Sequence, residues 1–197
     1  MSHPIVAITG ASGSCYAVRL LEVLIERRLE PYVVVSPAGR QVMALELGSG
    51  DLKDHLGSTG YREEDVRDLA SPLASGSFPT SGMVIAPCST GTLGSIAHGI
   101  SSNLIHRAAE VCLKERRRLI VVPRETPLSQ ITLQNMLTLS RAGVHVVPAN
   151  PGFYHAPQRI EDLVDFVVAR VLDLMEIPHG LSKRWTGVPV IEDALRD

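Results

Sequence analysis

Short runs of β-branched and other apolar residues alternate along the chain with stretches in which apolar positions have helical spacing. The runs predict five buried strands, at 5–9, 32–36, 83–86, 119–122 and 144–147. Helical stretches lie near 13–29, 38–48, 102–116, 129–141 and 160–175. Buried strands that alternate with helices are typical of a parallel sheet covered by helices on both faces. The pattern therefore predicts one α/β domain over residues 1–197.

Three further segments of the chain differ clearly in their pattern. Apolar residues follow the i, i+3, i+4, i+7 spacing without a break from Ile160 to Met175, which predicts an amphipathic helix. Residues 49–81 are rich in Gly, Ser, Asp and Pro and predict a long excursion between strands. Residues 176–197 form a tail that contains the single tryptophan, Trp185, and we expect this tail to pack on a neighbouring subunit.

Composition narrows the class of protein. The chain of 197 residues has a net charge of −2 and 20% charged residues, so charge gives no reason to expect nucleic acid or a membrane as the partner. No apolar run approaches ~18 residues, and the three cysteines form no CxxC pair, so no metal site is expected. A cytoplasmic location is the default expectation.

Candidate chemistry lies where strands end, because ligands of such sheets bind beyond the carboxyl ends of the strands. Gly10-Ala11-Ser12-Gly13 follows the first strand, and its backbone suits an anion. A dinucleotide fingerprint also requires a glycine near position 16 and an acidic residue after the second strand. Tyr16 and Ser36 stand there instead. A mononucleotide or an empty turn remain the alternatives.

Later strand ends add polar groups. Ser89-Thr90-Gly91-Thr92 offers hydroxyl and backbone donors, although helix capping explains the same residues. Between two prolines, Arg124 and Glu125 are suited to clamping a phosphate and to moving a proton. Cys88 is expected to be a small buried residue. On the helix at 102–116, Arg107, Glu110 and Lys114 share one face, which taken alone is an exposed salt-bridge ladder.

Four long segments resemble the UbiX-type flavin prenyltransferases. They read TGASGSCYAVRLLEVL, APCSTGTL, NLIHRAAEVCLKERRRLIVVPRETPLSQITLQNMLTLS and PANPGFYHAPQRIEDLVDFVVARVLDLMEIP. The resemblance implies a single-domain flavodoxin-like or Rossmann-like three-layer sandwich. It also implies an enzyme that joins the dimethylallyl group of dimethylallyl monophosphate to N5 and C6 of reduced FMN. In that family the prenylated FMN passes to a UbiD-type decarboxylase, and the enzymes are homododecamers with active sites at subunit boundaries.

The resemblance also implies roles for particular residues. The residues implied to bind FMN are Gly10, Ala11, Ser12, Ser36, Ser89, Thr90, Gly91, Thr92 and Arg124. The implied catalytic residues are Lys114, Glu125, Tyr154 and Arg170, and the substrate-binding residues are Arg107, Lys114, Tyr154, Arg170 and Trp185. Thr132 and Gln134 depart from a family segment that usually reads I-H-L-E-N-M.

The residues fit a metal-independent prenyl transfer. The chain has no DDxxD-like cluster to hold magnesium; the nearest acidic group is Glu161, Asp162 and Asp165 in a periodic helix. Basic side chains and a tyrosine would then stabilise the leaving phosphate, and Glu125 would relay protons. The alternatives are a flavin-dependent cysteine decarboxylase-like enzyme and an FMN carrier without chemistry of its own.

Overall fold

A computed structural model describes residues 3–182 and contains one parallel sheet. Its strands are β1 (His3–Ile8), β2 (Tyr32–Val35), β3 (Arg62–Glu64), β4 (Thr80–Cys88), β5 (Leu119–Pro123) and β6 (His145–Val146). Their order across the sheet is β3-β2-β1-β4-β5-β6, which is the order of the doubly wound nucleotide-binding folds. The predicted parallel sheet is confirmed.

Helices cover both faces of the sheet. They are α1 (Ser14–Glu26), α2 (Pro37–Leu47), α3 (Lys53–Leu56), α4 (Thr90–Ala97), α5 (Leu104–Lys114), α6 (Gln130–Arg141) and α7 (Ile160–Leu174). A short 3-10 helix spans Pro72–Ala74. Ser36, Ser89 and Ser129 each accept a hydrogen bond from the third backbone N–H of the helix that follows, which explains why α2, α4 and α6 begin where they do.

Alternation along the strands divides the core into two parts. In β1, Val6 and Ile8 pack with helices α1, α2 and α7, whereas Ile5 and Ala7 pack with α4, α5 and α6. Successive side chains of a strand point to opposite faces, so one fully apolar strand supplies both cores. The arrangement is the three-layer sandwich that the sequence predicts.

Two α-helices and one strand were not expected from the sequence. Helix α4 contains Gly91 and Gly94, which lower helix propensity. A Cβ on Gly94 would lie 3.2 Å from Nδ2 of Asn135, so glycine at this position allows α6 to pack closely against α4. Strand β3 and helix α3 lie within the predicted excursion at 49–81. Strand β3 consists of Arg-Glu-Glu at the sheet edge, where charged side chains are usual and no apolar alternation announces a strand.

Helix α7 follows its predicted stripe with one exception. Val164, Val168 and Leu172 are buried against the sheet, but Ile160 is 74% exposed. Each fully buried Val or Leu contributes roughly 1.5–3 kcal/mol, so the stripe from 164 onward fixes α7 without the first residue. Beyond α7, Ile177 and Leu181 pack against the same core. Among residues 3–182, the helices are too short or too polar to cross a bilayer.

Candidate functional site

The carboxyl ends of β1 and β4 form the crevice of this sheet. These two strands are neighbours, whereas the chain continues outward from β1 to β2 and from β4 to β5. Loops that follow adjacent strands at such a reversal diverge and leave room for a ligand. We call the space between residues 10–13 and residues 89–92 the crevice.

The first wall of the crevice requires two glycines. A Cβ on Gly10 would lie 2.5 Å from Cβ of Ala38, so glycine allows the start of α2 to approach this turn. Gly13 has a φ of +114° and precedes α1, a backbone conformation that favours glycine. Ala11 and Ser12 lie between them at the edge of the crevice.

A carboxylate that the sequence did not indicate lies at this turn. Glu46 accepts hydrogen bonds from the backbone N–H groups of Gly13 (3.0 Å) and Ser14 (2.8 Å). Burial favours the neutral acid, but hydrogen bonds from the Ser12 side chain and from the N–H groups of Ser14 and Gly13 outweigh it and lower the pKa of Glu46. One signal was available in the sequence, because Glu46 lies in the last turn of its own helix, where the macrodipole disfavours a negative charge.

The remaining walls begin with helix caps. Ser36 Oγ accepts from Gly39 N at 3.0 Å, and Ser89 Oγ accepts from Thr92 N at 3.3 Å. Each hydroxyl can cap its helix and also bind a ligand, because a cap uses only one lone pair of the oxygen. A Cβ on Gly91 would meet no atom within 4 Å, so this residue borders open space. Thr92 is buried.

Arg124 and Glu125 follow β5 at the same edge of the sheet, and both are exposed. Arg124 Nε donates to the backbone oxygen of Ser12 at 3.3 Å, which joins the loop after β5 to the loop after β1. Among the described residues this is the only hydrogen bond of the Arg124 guanidinium. Glu125 Oε1 accepts from Thr126 N at 2.9 Å.

The basic residues of α5 lie elsewhere. Arg107 donates from Nε to Ala74 O at 3.1 Å and pairs with Glu110 at 2.9 Å, which is the first step of the predicted ladder on this helix face. Lys114 ends α5, pairs with Glu115 and lies beside Gly76, shortly before β4 begins. Lys114 is therefore at the amino edge of the sheet, and the five residues of β5 separate it from Glu125 by about 15 Å.

Arg170 lies at a third place, and Tyr154 lies in the loop between β6 and α7. Arg170 is on α7, pairs with Asp173 at 2.9 Å and faces a hollow beside the edge strand β6. Tyr154 is 64% exposed and packs edge-on against Phe166 with ring centroids 5.6 Å apart. Trp185 lies outside the described residues, so its predicted place beside a prenyl cavity stays a prediction.

The structure therefore gathers part of the predicted set. The residues that share the carboxyl edge are Gly10, Ala11, Ser12, Ser36, Ser89, Thr90, Gly91, Thr92, Arg124 and Glu125. Arg107, Lys114 and Arg170 point to other parts of the surface of the same chain. Burial raises the pKa of Cys88 to about 12, which agrees with a packing residue rather than a nucleophile. Residues 3–182 contain no group of three or more His, Cys, Asp or Glu side chains arranged for a metal ion.

Known proteins share this architecture over nearly the whole chain. The flavoprotein family model matches residues 2–172. A flavin prenyltransferase UbiX of Halalkalibacterium halodurans is 48% identical over 188 residues, which cover 91% of each chain. The crystal structure of AnUbiX (PadA1) in complex with FMN and dimethylallyl pyrophosphate superposes with a TM-score of 0.89 and 38% identity, covering 95% of this chain and 99% of the other.

A second solved structure agrees with the first. A dodecameric FMN-dependent UbiX-like decarboxylase from Escherichia coli O157:H7 superposes with a TM-score of 0.88 at 42% identity and covers 94% of this chain and 100% of its own. Identity at this level over whole chains favours the prenyltransferases over the cysteine decarboxylase alternative. The chain belongs to the flavoprotein family and, within it, to the UbiX-type flavin prenyltransferases.

Proposed function

We propose that this chain joins the dimethylallyl group of dimethylallyl monophosphate to N5 and C6 of reduced FMN and releases phosphate. The observation that carries the proposal is the crevice, where anion-binding donors and an acid–base group follow neighbouring strands. The solved relative in complex with FMN and dimethylallyl pyrophosphate supports FMN and a phosphorylated dimethylallyl donor as the ligands.

The crevice suits a flavin mononucleotide. Backbone groups of residues 10–12 and 89–92 line it, and Gly91 leaves open space on one side. Arg124 has four further N–H donors besides the one bonded to Ser12 O, and a guanidinium binds a phosphate through paired hydrogen bonds. Glu46 already takes the N–H groups at the start of α1, so we place the FMN phosphate at Arg124 and the hydroxyls rather than at that helix.

When bound, reduced FMN supplies the nucleophilic N5 and C6 positions of the reaction. N5 forms the first bond, to C1 of the donor, while the C1–O bond breaks and its electron pair leaves with the phosphate, which can take up the proton that N5 loses. Closure at C6 requires one proton to reach the alkene and one to leave the ring carbon. Glu125 is exposed beside Arg124 at the carboxyl edge. Its carboxyl group is suited to give a proton to the alkene and to take up the proton that leaves the ring carbon.

The leaving phosphate requires more positive charge than Arg124 supplies to the crevice of one chain. Lys114, Arg107, Arg170 and Tyr154 have the chemistry to bind it, but the first three are paired at other parts of the same chain. We infer that a second copy brings such side chains to the crevice of the first, so that the active site is complete only in a homo-oligomer. The dodecameric relative supports this inference. The tail at 176–197 is proposed to take part in these contacts, although its first part also packs on its own chain through Ile177 and Leu181.

Two further parts of the proposal concern the surroundings of the enzyme. The product, prenylated FMN, would pass to a UbiD-type decarboxylase as its cofactor. The chain would act in the cytoplasm, where reduced flavin is available.

The mass of the flavin tests the proposal directly. Purified protein is incubated under anaerobic conditions with reduced FMN and dimethylallyl monophosphate, and the bound flavin is then extracted and weighed. We expect a gain of one five-carbon unit, with dimethylallyl diphosphate compared in a parallel sample. Bound FMN of unchanged mass with both donors would indicate a carrier and overturn the proposal.

A further inference from the structure

We propose that Thr9 is a positioning residue that fixes the distance between the two walls of the crevice. The inference rests on the proposed function, because it concerns how the same crevice holds FMN. Thr9 is the first residue after β1 and directly precedes the turn that forms the first wall.

The side chain of Thr9 joins the two walls through backbone groups. Its Oγ1 donates to the backbone oxygen of Pro87 at 2.8 Å and accepts from the backbone N–H of Ser89 at 2.7 Å. Its own backbone N–H donates to the same Pro87 oxygen at 3.2 Å. A single residue after β1 thereby makes three hydrogen bonds to the end of β4.

These bonds continue the connection of β1 with β4 beyond its last ladder pair. That pair is Ala7 and Ile85, and the backbone N–H of Thr9 then bonds Pro87, two residues further along each segment. The threonine hydroxyl bonds the same Pro87 and extends the connection to Ser89. Crevice loops that would otherwise diverge are therefore tied at their base.

Both hydrogen bonds of the Thr9 hydroxyl are shielded from water. Thr9 is 1% exposed, and a hydroxyl that donates one bond and accepts another in this way has used its only proton. Breaking either bond would leave a buried N–H or C=O group without a partner, which costs free energy. The other tie between crevice loops, from Arg124 to Ser12 O, is exposed and longer at 3.3 Å.

The effect of Thr9 extends along the second wall. Ser89, whose N–H it holds, uses its own hydroxyl to accept from Thr92 N and to bond Thr92 Oγ1 at 3.1 Å. Thr9 thus sets the position of the residue that begins α4, and with it the donors of residues 89–92. We infer that its hydroxyl influences FMN binding without contact to the flavin.

Three variants separate this role from simple destabilisation. Thr9→Val keeps the shape of the side chain and removes both hydrogen bonds, whereas Thr9→Ser keeps the hydroxyl. Thr80→Val is the control, because Thr80 lies at the amino end of β4, opposite the crevice, where its hydroxyl accepts from Arg117. FMN affinity is measured by flavin fluorescence, well below the melting temperature of each protein.

We expect Thr9→Val to weaken FMN binding about tenfold, and Thr9→Ser to stay within about threefold of the parent. At saturating FMN, the KM for dimethylallyl monophosphate should be unchanged in Thr9→Val. Thr80→Val should lower the melting temperature without changing FMN affinity. If the parent prenylates FMN, unchanged FMN affinity in Thr9→Val would overturn the inference. A parent that does not bind FMN would instead refute the proposed function.

A measurement on the unaltered protein covers the case in which Thr9→Val does not fold. Amide hydrogen exchange should be slower at Ser89, which is bonded to Thr9, than at Gly91 two residues later. Equal exchange at the two amides would show that the tie to Thr9 does not hold in solution and would also overturn the inference.

Discussion

The crevice and the basic side chains of the outer helices are built in different ways. Crevice residues directly follow strands and are held by backbone hydrogen bonds and helix caps, as Ser36 and Ser89 are. Arg107, Lys114 and Arg170 project from helices and pair with acids one or three residues away. Such exposed pairs are worth ~0–1 kcal/mol. A phosphate can therefore replace the acid at little cost, which suits groups that await a ligand or another copy of the chain.

The largest expected effect belongs to the one candidate acid–base group in the crevice. Glu125→Gln should slow prenyl transfer about a hundredfold or more, since proton transfer by a placed side chain typically contributes 10²–10⁴-fold. FMN affinity should stay the same, because Arg124 and the backbone donors remain. Single-turnover analysis of flavin mass measures the rate, and a normal rate would remove Glu125 from the reaction.

Mixed assemblies test whether the two regions meet across copies. Lys114→Met alone should lower kcat/KM about tenfold or more through loss of a charge-assisted hydrogen bond. Co-expressed with Glu125→Gln, it should regain activity, because some sites then combine an intact Lys114 with an intact Glu125 from different chains.

The matched control for this experiment lies within one loop. Arg124→Met co-expressed with Glu125→Gln should not recover, because both residues belong to the same loop of the same chain. Absence of recovery in the Lys114 pair as well would mean that each chain supplies its own complete set, against the geometry described above.

A smaller effect is expected at the loop that carries Tyr154. A Cβ on Gly152 would lie 2.9 Å from Phe166 and 3.0 Å from the Tyr154 ring. Gly152→Ala should therefore displace Tyr154 and raise the KM for dimethylallyl monophosphate about fivefold, or roughly 1 kcal/mol. Gly180→Ala is the control, since its Cβ would meet no atom within 4 Å. Equal KM values in the two variants would mean that the position of Tyr154 is not critical.

The smallest effect concerns the pH dependence of stability at Glu46. Its pKa is lowered in the folded state from an ordinary value of 4.5, so its stabilisation is present above that pH and is lost as the pH falls through the folded pKa. Glu46→Gln should be less stable than the parent by roughly 0.5 kcal/mol near neutral pH. Urea unfolding should show this difference shrinking in acid; a difference that is constant with pH would contradict it.

The same contrast explains what the sequence could predict. Residues placed directly after apolar runs, such as Ser12 and Arg124, could be assigned to one edge of the sheet because parallel strands end together. Lys114 could not be placed in this way, because its helix face reads as an ordinary salt-bridge ladder and only the family resemblance singled it out.

Contacts between elements that are distant in sequence could not be predicted either. Glu46 reaches the start of α1 across 32 residues of sequence, and the Thr9 hydroxyl bonds Ser89 across 80. Thr9 is not unusual at its own position, and the place of Glu46 at the end of a helix does not indicate its partner, so local pattern carries little signal for either contact. Helix α4 was missed for the related reason that Gly94 is explained only by the close approach of α6.

The contact between Gly10 and Ala38 restricts how the enzyme can be altered. Cβ of Ala38 already occupies the space that a side chain at Gly10 would need. A larger side chain at either position therefore requires more space between them, although 28 residues separate them in sequence. Enlarging Ala38 would push α2 away from the turn and widen the crevice from outside the flavin site. Attempts to broaden the range of accepted flavins can therefore treat the two positions as a coupled pair, varied together and screened for size rather than for charge.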